Sequence, residues 1–410
     1  LLTLPESGER DELELAVLVA LAAPVMAVRG YAAPDNERIG RRVRELCDRI
    51  DPAPIAVLAL IGLAQALGIR ASWRESLEVC REALVIADQL GDESLRMMAT
   101  FQSGYCLMWM GDLPASHRLL EAAIRLHDPE RDAWLAYAFG VEPGGEALVY
   151  AAAAAQNLGD VTKSIELGVA AMAFARRLDH PFTLCHVLGV ESVVRLVRGE
   201  YATAVPLLDE IEAIAVDEHF PFWIAAVDVY RGWATGRLHD PGEGASLMRR
   251  GLDAWRAAGF KCHIGFFTSE LAELEHLSGH PHRGLELVDD ALANTPDELF
   301  SQMWLLVQRG RLLRILGDDR AAGALDTALN AARDVGSRQH EIRASAELAL
   351  VLEAAGRRDD AYALLALALE RWGDQPDIGD VRFARAVLAR MSSSADAPPS
   401  PPTSRSSRAE

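Results

Sequence analysis

Apolar side chains recur along this chain at spacings of three and four, the period of a helix that buries one face. Ala122, Ala123 and Leu126 mark one such face, and Ala361, Leu364, Leu365 and Ala368 another. β-Branched runs alternating at period two, the pattern of strands, do not occur. The pattern predicts an all-α chain with its helices in pairs. Each first helix runs to a glycine, which accepts the left-handed backbone that ends a helix. A few polar residues follow, then a second amphipathic helix. "GDLPASHRLLEAAI" from Gly111, "GDVTKSIELGVAAM" from Gly159 and "GRRDDAYALLALAL" from Gly356 share this form.

The unit repeats. Gly68, Gly111, Gly159, Gly199, Gly236, Gly279, Gly317 and Gly356 are the expected turns, spaced 37 to 48 residues apart. Short linkers such as "RLDHPFTL", "DEHFPFWI" and "DVGSRQHE" lead to the next pair. Such spacing belongs to the tetratricopeptide (TPR) type of helical hairpin, stretched from its usual period of about 34 residues. Small residues near the turns, Ala115, Ala204 and Ala361, let paired helices approach closely. One hairpin cannot cover its own apolar face, so neighbours must stack. The expected fold is all-α, a right-handed superhelical solenoid of TPR-like helical hairpins. Residues 1–50 are read as N-terminal helices continuing from a missing upstream domain, 51–391 as the repeat array and 392–410 as a disordered Ser/Pro/Ala-rich tail. A last helix over Asp377–Met391, with Arg382, Arg385 and Arg390 among apolar residues, reads as an end cap.

Charge narrows the function classes. With 41 basic and 60 acidic residues the net charge is −19, no footprint for nucleic acid. The arginines at 38, 41, 42, 44 and 49 face Glu37, Glu45, Asp48 and Asp51 and read as a solvated helix face. The segment from Gly30 to Pro34 before them reads as a helix–helix connector; it has no P-loop lysine and no preceding strand. Pro52–Ile69 carries no charge over 18 residues, but its prolines, glycines and Gln65 favour a buried helix over a membrane span. Five scattered cysteines fit reduced thiols in a cytoplasmic protein.

Motifs for catalysis do not occur: no Gly-x-Gly-x-x-Gly, P-loop, Gly-x-Ser-x-Gly or His-Glu-x-x-His. His276, His280 and His282 lie on a turn and are read as surface residues, not metal ligands. Glu142-Pro-Gly-Gly reads as a helix start that shapes a hairpin. No catalytic, cofactor or metal residues are assigned. A solenoid's usual binding surface is its concave face, lined by first helices. Gln102, Tyr105, Trp109, Tyr230, Trp233, Trp304, Gln308 and Arg311 are the candidate lining residues for a protein or peptide partner, since aromatic residues and Arg make interface anchors. A Trp at helical spacing also fits a core, and Arg311 is expected to be an exposed charge of little consequence for stability.

Several stretches resemble one family in order. "LLTLPESGERDELELAVLVALAAPVMAVRGYAAPDNERIGRRVREL", "YAFGVEPGGEALVYAAAAAQNLGDVTKSIE", "LDHPFTLCHVL", "HFPFWIAAVDVYRGWA" and "MRRGLDAWRAAG" are similar to the C-terminal TPR-like region of large bacterial signalling ATPases. These join a class III adenylate/guanylate cyclase, or a DNA-binding or kinase domain, to an AAA/STAND-type ATPase and then to repeats. The likeness extends to about Arg390 and departs at Ala151–Ala155, where relatives usually carry aromatics. It implies a non-catalytic module for protein interaction or sensing, regulating ATPase and cyclase domains attached in cis, with ATP bound only there. The alternative is a stand-alone adaptor without an enzyme.

Overall fold

The computed structural model describes residues 7–29, 34–47, 49 and 54–393. The connector residues 30–33 and the tail from 394 lie outside them; residues 392 and 393, expected in the tail, close the last helix. All twenty elements among the described residues are helices. α1 (Gly8–Arg29) and α2 (Pro34–Cys47) pair and lie on α3 (Pro54–Ile69). Eight hairpins follow: α3 with α4 (Trp73–Leu90), α5 (Glu93–Trp109) with α6 (Leu113–Leu126), α8 (Pro143–Leu158) with α9 (Val161–Ala175), and α10 (Pro181–Arg198) with α11 (Tyr201–Asp217). Then come α12 (Pro221–Leu238) with α13 (Pro241–Ala257), α14 (Ile264–Leu277) with α15 (Pro281–Asn294), α16 (Leu299–Ile315) with α17 (Ala321–Asp334), and α18 (Arg338–Ala354) with α19 (Arg358–Trp372). A short α7 (Leu135–Phe139) interrupts the series, and α20 (Gly379–Ser393) ends it against α18 and α19. α20 buries Val381, Ala384 and Val387 and exposes Arg382, Arg385 and Arg390, as an end cap requires.

The turn chemistry explains the recurrent Gly-Asp. Gly111 and Gly159 have φ of 85° and 87°, and the aspartate after each caps the next helix. Asp112 accepts from the Ala115 amide at 3.1 Å and Asp160 from the Lys163 amide at 3.1 Å. Such a cap contributes about 1 kcal/mol. Two of the expected turn glycines are not turns. Gly68 lies inside α3, and Ala71 takes the left-handed position instead, at φ 60°. Gly236 lies inside α12, whose turn falls at His239. Its role is close approach: a Cβ on Gly244 of α13 would lie 2.5 Å from the Gly236 Cα and 2.5 Å from the Gly232 carbonyl oxygen.

The arginine stripe of α2 is a joint between helices. Arg42 donates to Glu14 of α1 at 2.6 Å, Arg41 to Glu75 of α4 at 2.5 Å, and Arg44 pairs with Glu82. The alanine run is equally structural. Ala151, Ala152, Ala154 and Ala155 are buried without residue, so α8 packs tightly on α9 and also meets α18.

That last contact shows the array coming round on itself. α18 touches α8, α16 touches α5, and α20 reaches α10. Backbone amides of Lys261 and Cys262 donate to the Ile69 carbonyl at 2.9 and 3.0 Å. The Ser337 hydroxyl donates to the Asn157 carbonyl at 3.0 Å, and Gln156 donates to Gln339 at 3.2 Å. Residues 180 and 183 positions apart are thus joined at this seam.

Candidate ligand cavity

First helices of seven successive hairpins, α3 to α16, surround a partly enclosed cavity of about 210 Å³ at the centre of the turn. Helical spacing builds its wall. On α5, Phe101, Tyr105 and Trp109 recur every fourth residue with Gln102 beside them; on α8 the inward stripe is Glu146, Tyr150, Ala153 and Asn157. His186, Val190, Val193 and Val197 follow the same rule on α10. The rings interlock across the turn. Tyr105 meets Tyr150 edge-on with centroids 4.7 Å apart, and Trp109 stacks on His263 at 4.0 Å and abuts Phe300 at 5.0 Å.

Polar atoms in this apolar shell are few and positioned. Tyr105 Oη and His263 Nε2 are 2.9 Å apart. His186 Nε2 lies 3.2 Å from Tyr150 Oη and 3.3 Å from Glu146 Oε1. Burial, aided by the negative charge of Glu142, pushes the Glu146 carboxyl up to about 8. Burial pulls His186 down to about 4 and, with His186 as a neighbour, His263 down to about 3. It also holds the Tyr105 and Tyr150 phenols far above their ordinary value. At neutral pH the wall is therefore uncharged. The buried amide oxygens of Gln156 and Asn157 and the indole N–H groups of Trp109 and Trp223, all on lining residues, lack hydrogen-bond partners.

Four of the eight residues singled out from sequence line this cavity: Gln102, Tyr105, Trp109 and Tyr230. The other four do not. Trp233 is buried against Phe266. Trp304 is 2% exposed, packed between His340, whose ring centroid is 4.5 Å away, and the Arg343 guanidinium 4.7 Å over its face. Gln308 and Arg311 belong to an ionic cluster around Glu273, which accepts from Gln308 at 3.0 Å and Arg237 at 3.0 Å and pairs with Arg311 at 2.8 Å. Burial would raise the Glu273 carboxyl, but Arg311 and Arg237 outweigh it and hold it below its ordinary value. Arg311, expected as an exposed charge, is corrected: it also reaches Glu347 at 3.3 Å, and both its carboxylate partners are buried.

Glu146, His186 and His263 were missed because each is a single polar residue within an apolar segment, which sequence alone reads as core. Glu142 does shape the start of α8: it accepts from the Gly145 amide and contacts His127 Nε2, both at 2.7 Å. His276, His280 and His282 form no metal-binding group, and none is found among the described residues. No helix there is long and apolar enough to cross a membrane.

Stacked hairpins with first helices facing inward define a TPR-like solenoid, and solved structures share that fold. A Rap protein complexed with competence and sporulation factor superposes with TM-score 0.55 at 12% identity, covering 95% of this chain and 99% of that one. The apo form of the quorum sensor NprR from B. thuringiensis gives 0.52 at 11%, covering 88% and 98%. A STAND protein with a tetratricopeptide repeat sensor from Pyrococcus horikoshii gives 0.45 at 14%, covering 90% of this chain and 51% of that one. At these identities the likeness is one of fold. No protein-family profile and no curated protein sequence matches the chain.

Proposed function

We propose that this chain is a non-catalytic sensor module whose central cavity receives a ligand and whose occupancy regulates an attached ATPase and its output domain, a cyclase or a transcriptional regulator. The observation that supports it most is the cavity, built from the inward faces of seven hairpins and lined largely by aromatic side chains. A ligand there meets the inward faces of seven hairpins in one space, which suits a module that reports binding along the array. The sequence likeness to repeat regions of signalling ATPases supports the attachment. Solenoids of this fold solved with competence and sporulation factor, or as a quorum sensor, support a receiving role.

The test uses the complete reading frame that contains this chain. ATP hydrolysis and nucleotide cyclisation are measured with and without residues 54–393. Severalfold change in turnover on deletion is expected. A frame that encodes no ATPase would leave the stand-alone adaptor as the better reading, and turnover indifferent to the deletion would sink the regulatory role.

A further inference from the structure

We propose that the cavity binds a small, uncharged aromatic molecule of one or two rings. The inference rests on the sensor reading only in taking the cavity as the receiving site, and it names the ligand class.

Size comes first. An engineered apolar cavity of about 150 Å³ holds benzene. At about 210 Å³ this one has room for a ring with a substituent or for two fused rings. Shape follows from the walls: Tyr105, Trp109, Tyr150, Trp223 and Phe266 offer faces and edges to a flat guest.

Charge excludes most other candidates. The lining residues include no Lys or Arg, and their one carboxyl, Glu146, is held next to His186 in a pair with no net charge. A phosphate, a carboxylate or a peptide terminus would lose its hydration there without gaining a counter-charge.

Space for the guest comes from Ala153. It is the one member of the alanine run that lines the cavity, and an aromatic side chain there would take up part of that space.

The test measures binding of benzamide and benzoate, two molecules of nearly one shape, to the purified chain by tryptophan fluorescence and thermal shift at pH 7. Trp109 and Trp223 report directly. Benzamide is expected to quench and to raise the melting temperature at millimolar concentration, with benzoate at least about a hundredfold weaker for want of a counter-charge. Toluene, uncharged like benzamide, should also bind. Ala153→Phe should abolish the benzamide response with helical content unchanged, and Ala153→Leu should weaken it at least about tenfold, about 1.4 kcal/mol. Equal binding of benzoate and benzamide overturns the proposal, as does undiminished binding by the folded Ala153 variants or no response to benzamide. Because the isolated chain is used, this result is independent of turnover in the complete reading frame, and either reading can fail alone.

Discussion

Replacing Trp304 by alanine removes the largest side chain between α16 and α18. The ring is 2% exposed and meets Phe266 edge-on at 5.1 Å as well as His340. Truncating a buried Trp costs about 3–5 kcal/mol through lost transfer energy and the cavity left behind. Arg343 loses the ring beneath it as well, a cation–π contact of about 2 kcal/mol where water is excluded. Its carboxylate partners remain, Asp380 at 3.4 Å and Glu270 at 3.6 Å, so the two losses overlap and do not add fully. A total near 5 kcal/mol is expected. Trp304→Phe keeps a ring under Arg343 and discards an indole N–H that has no partner, so it should cost about 1–2 kcal/mol. Urea denaturation followed by far-UV dichroism gives the total, and amide exchange in α16 gives the local loss. A loss below about 1 kcal/mol for Trp304→Ala, or equal losses for both variants, would refute this packing account.

Other outcomes follow from the same structure. Arg311→Ala should destabilise by about 1.5–3 kcal/mol, since a charged hydrogen-bonding partner of buried Glu273 is lost while Arg237 and Gln308 remain; a neutral melt would show the cluster to be slack. Gly244→Ala should cost about 1–3 kcal/mol despite alanine's better helix propensity, because its Cβ meets the backbone of α12; an unchanged melting temperature would contradict that approach. Glu146 and Glu298, raised by burial to about 8 and about 7, hold protons in the folded state that the unfolded chain releases near 4.5. Their stabilisation is complete below that value and is lost as pH rises through 7 and 8. His186, His263 and His340, lowered to about 4, 3 and 3, act oppositely: their stabilisation is complete above 6.5 and is lost as pH falls. Melting temperature should therefore peak at about pH 6, and Glu146→Gln should flatten its fall toward pH 8. An unchanged alkaline fall in that variant would remove Glu146 as its cause.

Hairpins were legible in the sequence because their signals are local. The glycine, the capping aspartate and the apolar stripe of one unit lie within a few turns of one another, as at Gly159, Asp160 and Leu167. Where two glycines failed as turns, the same residue type served another need: Gly236 gives up its side chain to a neighbouring helix. The cavity was legible only by halves. Phe101, Tyr105 and Trp109 share a face by spacing, but the partner of Tyr105 is His263, 158 residues away, and no local pattern encodes which turn of the coil meets which. Trp304, Gln308 and Arg311 share a face by the same spacing, yet α18 covers that face with Arg343 and His340 on one side and Glu347 on the other.

An open solenoid is a spring, and small rotations between units sum along its length. Here Ile69 is tied to residues 261 and 262, and Asn157 to Ser337, so the coil is pinned across its own gap and behaves as a hoop. A guest that presses outward at the centre loads the rim in tension, and the load falls on the contacts that bridge the gap, hydrogen bonds and ring packing such as Trp109 on Phe300 together.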